Sequence, residues 1–139
     1  MVAKILTVMS GKNYLLDTNI IVDLFIGNNE IKQQMDLLKV PIVSAITIGE
    51  LYFGAEKSSQ KQKHLKQVDE FVEICTILDI DITTTKIYGK IKNELKKKGK
   101  PIPENDIWIA ATSIQYDLTL MTKDKHFREI KGLDLKQLK

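Results

Sequence analysis

Four carboxylates stand where an apolar stretch of this chain ends or a helix begins. Asp17 follows Tyr14-Leu15-Leu16, Glu50 follows Ile46-Thr47-Ile48-Gly49, Asp106 precedes Ile107-Trp108-Ile109-Ala110-Ala111, and Asp124 closes Leu118-Thr119-Leu120-Met121-Thr122-Lys123. An acid set in apolar sequence is costly to desolvate unless hydrogen-bond donors or a cation compensate it. Strand ends and helix starts are also where α/β folds place ligands. Should the four converge, each pair repels by roughly 1 kcal/mol at about 4 Å even in water, and several-fold more where solvent is thin. A divalent cation relieves that repulsion, so these residue types point to a metal site.

The elements that must position the acids follow from periodicity and capping. Asn13 to Leu16 reads as a short strand, and Asp17-Thr18-Asn19 offers caps for a helix through Ile20, Val22, Leu24 and Phe25 that stops at Gly27-Asn28-Asn29. Glu30 to Lys39 predicts a second helix, with Ile31, Met35 and Leu38 on one face, and 40–43 a buried strand beginning near Pro41. Ser44 is a cap for a helix carrying Glu50 to Glu56, Ser58-Ser59 interrupts, and Gln60 to Glu73 spaces Leu65, Val68, Phe71 and Val72 for one buried face. A strand over 75–78 precedes a helix from Thr84 to Lys98, with Ile87, Ile91 and Leu95 four apart and Gly99 as its stop. After Pro101-Ile102-Pro103, Asn105 is the expected cap of a helix with Ile107, Ala110, Ala111 and Ile114 inward, then 118–121 is a strand and 133–135 a final edge strand. Strands alternating with helices imply a largely parallel sheet covered on both faces, because each parallel connection needs a crossover.

Composition narrows the classes. With 139 residues, 43% hydrophobic and 28% charged, the chain suits a single soluble domain over 1–139 with one core. Its apolar runs are far short of a membrane span, and 1–8 lacks a signal-length apolar stretch, so cytoplasm is the expected compartment. One cysteine, Cys75, excludes an intrachain disulfide framework and a cysteine-rich zinc site; in its apolar setting it reads as a small buried hydrophobe. A net charge of +3 permits a nucleic-acid partner without requiring one.

With the acids placed on this order of elements, the chain resembles the PIN-domain ribonucleases, and among them the VapC-type toxins of toxin–antitoxin pairs. The likeness runs from Tyr14 onward on four landmarks: Leu15-Leu16-Asp17-Thr18-Asn19, Ser44 to Leu51 ending Gly49-Glu50-Leu51, Asn105-Asp106-Ile107-Trp108-Ile109-Ala110-Ala111, and Thr122-Lys123-Asp124-Lys125-His126-Phe127. It implies an α/β three-layer sandwich around a mostly parallel sheet, and hydrolysis of RNA phosphodiesters by water with Mg²⁺ or Mn²⁺. The family's metal-binding acids fall on Asp17, Glu50, Asp106 and Asp124, its supporting hydroxyl on Thr122, and Asn19 is a further candidate to hold a carboxylate by hydrogen bonds. Hard oxygen ligands suit those ions better than zinc. In this reading Asp17 anchors the ion, Asp106 and Asp124 complete its shell, and Glu50 orients or deprotonates the attacking water. The resemblance also implies a homodimer and an antitoxin whose amphipathic segment lies in a groove, for which Ile48, Leu51, Tyr52 and Phe53 are candidates that core packing explains equally well. Such toxins commonly begin close to the first motif, so residues 1–12 are expected as an N-terminal extension and Met9 as an alternative start.

Other features carry competing readings. His126, two residues past Asp124, is expected to be structural or RNA-contacting, His64 solvated, and Trp108 buried against the core or a dimer partner. The lysines at 57, 61, 63 and 66 and at 96, 97, 98 and 100 read first as solvated helix faces, whereas Lys123 and Lys125 are better placed to touch a substrate strand. Asp23, Asp79 and Asp81 could each extend the acidic pocket, but caps and surface pairs are commoner and they are left out of the expected site. A signalling receiver domain would need paired acids after the first strand, and a haloacid-dehalogenase-like phosphatase an Asp where Asn19 stands. A PIN-like protein that binds RNA or a partner without cutting is the remaining alternative.

Overall fold

The computed structural model describes residues 13–36 and 40–139. The expected extension 1–12 and the end of the second expected helix, 37–39, lie outside the described residues. Strands β1 (Tyr14–Leu16), β2 (Ile42–Ser44), β3 (Thr76–Leu78), β4 (Thr119–Thr122) and β5 (Leu135–Gln137) form one sheet in the order β3-β2-β1-β4-β5. All four pairings are parallel. The helices are α1 (Thr18–Phe25), α2 (Asn29–Asp36), α3 (Ala45–Glu56), α4 (Lys61–Ile74), α5 (Ile82–Lys97) and α6 (Glu104–Gln115), with a 3-10 helix at Lys125–Glu129.

Side chains alternate across a strand, and each strand here feeds two cores. Leu15, Ile42 and Leu120 face α5 and α6, packing against Ile91, Leu95, Ile107, Ile109 and Ala110. Their neighbours Leu16, Val43 and Met121 face the other way, onto Ile20 and Ile21 of α1, Ile31 of α2, Leu51 of α3, and Val68 and Phe71 of α4. The outcome is three layers. Leu15, Leu16 and Leu120 are fully buried, and each such side chain contributes about 1.5–3 kcal/mol of transfer free energy.

Several boundaries move from those the pattern predicts, for local reasons. Helix α5 starts at Ile82 rather than Thr84 because Asp81 builds a reciprocal cap: its Oδ1 accepts the Thr84 N–H at 3.1 Å, and Thr84 Oγ1 accepts the Asp81 N–H at 3.1 Å. Helix α6 starts at Glu104 with Pro103 in the cap position and no side-chain cap, so Asn105 lies inside the first turn and caps nothing. Strand β5 falls two residues later than expected, with Leu135 in register with Leu120 after the left-handed turn at Gly132. Gly27 and Gly99 do stop their helices, at φ of 84° and 65°, where a side chain would be strained.

The strand order matters for function. Strand β1 lies at the point where the winding reverses, with β2 and β3 to one side and β4 and β5 to the other. A crevice opens at the carboxyl ends of strands on either side of such a reversal. Asp17 and Asp124 leave the carboxyl ends of β1 and β4, the two strands that meet there.

Candidate active site

At that crevice a cleft of about 340 Å³ is lined by Asp17, Thr18, Asn19, Val22, Asp23, Glu50, Asp106 and Asp124. The four acids singled out from the sequence thus face one space, although the first and last stand 107 positions apart. Four segments deliver them. Asp17 ends β1, where its backbone N–H donates to Met121 O of β4 at 3.0 Å, and it also caps α1 by accepting the Thr18 N–H at 2.9 Å. Glu50 sits six residues into α3, whose start is set by Ser44 accepting the Thr47 N–H at 3.1 Å. Asp106 lies in the first turn of α6, where the helix dipole favours an anion. Asp124 precedes the 3-10 helix.

Neutral donors hold these carboxylates. Thr122, fully buried, donates Oγ1–H to Asp17 Oδ2 at 2.7 Å and accepts the Asp124 N–H at 3.0 Å. The Asn19 amide lies 3.2 Å from both Asp17 Oδ2 and Asp124 Oδ2, and its carbonyl accepts the Lys123 N–H. Thr18 Oγ1 donates to Glu50 Oε1 at 2.6 Å, so it does more than belong to a cap. Asp17 is 2% exposed. Burial pushes its carboxyl up from 3.8 to about 6, helped by the charges of Asp106 and Asp124 and opposed by Thr122 and the Thr18 N–H. Burial likewise raises Asp106, with His126 opposing and the charges of Glu50 and Asp124 adding to the rise. A site whose acids resist ionisation because they are buried beside one another suits a cation. Among the described residues, the group whose ligand atoms lie within 4.8 Å of one another is Asp106, Asp124 and His126, two carboxylates and an imidazole, while Asp17 and Glu50 line the same cleft outside that group. Carboxylate oxygens gathered in an open cleft fit a divalent cation.

Two residues left out of the expected metal set belong to the cleft. His126 lies against the acids, its Nε2 2.6 Å from Asp106 Oδ2 and 3.8 Å from Asp124 Oδ2. Its place two residues past Asp124 was visible, but the 3-10 turn that swings it inward was not. Asp23 also lines the cleft and pairs with Lys123 Nζ at 2.6 Å. Its spacing of four from Asn19 on α1 would have placed the two on one helix face. Lys123 is therefore engaged by an acid at the mouth, while Lys125 remains exposed.

The other singled-out residues fall outside this cleft. His64 is half-buried and hydrogen-bonded to Ser58 through Nδ1 at 2.6 Å, so it is not merely solvated. Trp108 stacks on Tyr88 with ring centroids 3.8 Å apart. Asp81 is a cap, as expected. Lys61, Lys66 and Lys98 pair with Glu56, Glu70 and Glu129 on the surface. A second cleft of about 440 Å³ lies among α1, α3 and α4, lined by Val22, Phe25, Ile26, Leu51, Ala55 and Val68, and it meets the acidic one at Thr18, Val22 and Glu50. Of the four expected groove residues only Leu51 lines it; Ile48 packs in the core, Tyr52 donates to Asp69 at 2.5 Å, and Phe53 is exposed beneath Lys57.

The PIN domain family model matches residues 14–133, and the chain belongs to that family. Its similarity is to VapC proteins in particular. It is 36% identical to Ribonuclease VapC2 of Haemophilus influenzae, covering 80% of this chain and 86% of the relative. It is 30% identical to the tRNA(fMet)-specific endonuclease VapC of Shigella flexneri, covering 86% and 93%. Among solved structures, VapBC2 of Rickettsia felis bound to a promoter DNA fragment superposes with a TM-score of 0.85 at 31% identity, covering 91% of this chain and 98% of that one.

Proposed function

We propose that this chain is a metal-dependent endoribonuclease that hydrolyses RNA phosphodiester bonds as the toxin of a toxin–antitoxin pair. The observation that carries the reading is the meeting of Asp17, Glu50, Asp106 and Asp124 in one cleft at the reversal of the sheet. Its similarity to proteins named as ribonucleases and as a tRNA-specific endonuclease supports RNA as the substrate class. The four acids would hold Mg²⁺ or Mn²⁺, which when bound lowers the pKa of water and neutralises charge building on phosphoryl oxygens.

The chain's own groups prepare that chemistry. Thr122 and the Thr18 N–H fix both oxygens of Asp17, and Asn19 ties Asp17 to Asp124, so two acids from distant segments keep one geometry. Thr18 occupies Oε1 of Glu50 and leaves Oε2 free to orient the attacking water and take its proton. With Lys123 paired to Asp23, the exposed Lys125 is the cation beside Asp124 that would meet an incoming phosphate strand.

The adjoining apolar cleft among α1, α3 and α4 suits the amphipathic segment of an antitoxin, as the similarity to VapBC assemblies suggests. Because that cleft opens onto Glu50 and Thr18, a basic side chain on the segment would reach the acids. The chain itself would assemble as a homodimer, which light scattering on the purified protein checks.

The deciding assay incubates purified protein with mixed RNA and Mn²⁺ or Mg²⁺, with and without EDTA. Cleavage is expected from wild type with the cation present, and neither from Asp17→Ala nor from Asp106→Asn. Cleavage that survives EDTA, or that both variants retain, refutes the reading.

A further inference from the structure

Three acids of the cleft are oriented by hydroxyl or amide donors, Asp17 by Thr122 and the Thr18 N–H, Glu50 by Thr18, and Asp124 by Asn19. Asp106 differs. Among the described residues the partner found for its carboxylate is the imidazole of His126, 2.6 Å from Oδ2. A carboxylate turns about a broad, two-fold torsion, so without a fixed donor Asp106 would swing away from Glu50 and Asp124, whose charges repel it.

The imidazole is itself held. The 3-10 helix Lys125–Glu129 carries it directly after Asp124, and the next residue, Phe127, is fully buried in the core beneath α5 and α6. The two rings pack with centroids 5.0 Å apart. His126 also stands 3.8 Å from Asp124 Oδ2, so the ring occupies the gap between the two acids.

We propose that His126 is a positioning residue of this nuclease: by donating Nε2–H to Oδ2 of Asp106 it sets that carboxylate's rotamer and leaves the other oxygen as its free donor to the cation. The inference rests on the metal-dependent reading above and adds a residue to it. Hydrogen-bond partners of metal-binding groups govern affinity because a ligand that must be ordered on binding binds less well. A half-exposed histidine at a cleft mouth has another use, contact with the phosphates of RNA, and the two roles separate experimentally.

Titration calorimetry with Mn²⁺ alone on the full chain, without RNA, supplies the separation. His126→Ala should weaken Mn²⁺ binding by roughly 10–100-fold. His126→Gln, whose side-chain amide extends about as far as Nε2 and also donates, should recover affinity to within about threefold of wild type. In RNA cleavage with Mn²⁺ at a fixed concentration, the alanine variant should lose kcat while KM for RNA stays within about threefold, the mark of a group that acts through another. Unchanged Mn²⁺ binding in the alanine variant, equal loss in both variants, or a loss confined to KM overturns the role of His126 and leaves the nuclease reading in place. Absence of Mn²⁺ uptake by wild type overturns both.

Discussion

Replacing Asp17 by asparagine should make the cation-free protein more stable, although it destroys the proposed activity. The carboxyl is 2% exposed and its pKa stands at about 6 against 3.8 for the ordinary group. A folded-state value above the unfolded one means that the folded protein holds the proton more tightly. Its contribution is therefore favourable below about pH 4, is lost as pH rises through about 6, and is absent at neutrality. Two pKa units correspond to about 3 kcal/mol of penalty for the buried charge at pH 7.5. Asparagine removes the charge and keeps the shape, and one oxygen still accepts the Thr18 N–H. Its amide nitrogen, however, stands where Oδ2 accepted from both Thr122 and Asn19, so the Asn19 amide loses an acceptor and the Thr122 hydroxyl must turn to accept instead, which returns part of the gain. The expected net gain is about 1–2 kcal/mol in EDTA at pH 7.5, measured by urea unfolding. The advantage should shrink towards pH 4.5, where wild-type Asp17 is largely protonated. Mn²⁺ at about 100 times its Kd should add about 2.7 kcal/mol to wild type alone and reverse the ranking. An Asp17→Asn protein that is less stable than wild type in EDTA at pH 7.5, with a gap that does not change on acidification, would refute the argument that burial of this charge dominates.

Other expectations follow from single interactions. Thr122→Val nearly conserves volume but removes the hydroxyl that donates to Asp17 and accepts from Asp124, so it should cost about 1–3 kcal/mol in urea unfolding and lower kcat for RNA. Asp81→Ala removes the cap of α5 and a contact to Gln115, and should lower the urea midpoint of unfolding with cleavage unaffected per folded molecule. Cys75 is partly buried and burial pushes its thiol up to about 12, so the native protein should react with thiol-specific reagents at pH 8 more slowly than the unfolded chain, which a colorimetric thiol assay reads directly.

Much of this architecture is written locally. Apolar runs near residues 15, 42, 77 and 120 predict four of the five strands because alternate side chains there feed two buried faces, and the helices follow from apolar spacing with Ser44, Gly27 and Gly99 as punctuation. The acids Asp17, Glu50, Asp106 and Asp124 stand out for a related reason: a charge in apolar sequence is costly enough to need a purpose. Boundaries slipped where capping competes, as at Asp81 and Pro103, since a two-residue choice of cap leaves the apolar face almost unchanged.

Long-range geometry was out of reach. Nothing within a few residues of His126 tells that a 3-10 turn carries its ring to Asp106, twenty positions back, and nothing near Lys123 tells that its ammonium finds Asp23, a hundred positions away. The same holds for the apolar cleft among α1, α3 and α4, whose walls come from helices joined only through the fold. Periodicity and capping act over one or two turns and leave their mark on neighbouring residue types. Contacts between distant side chains depend on strand order and on how each helix lies across the sheet, and these are settled only when both cores pack at once.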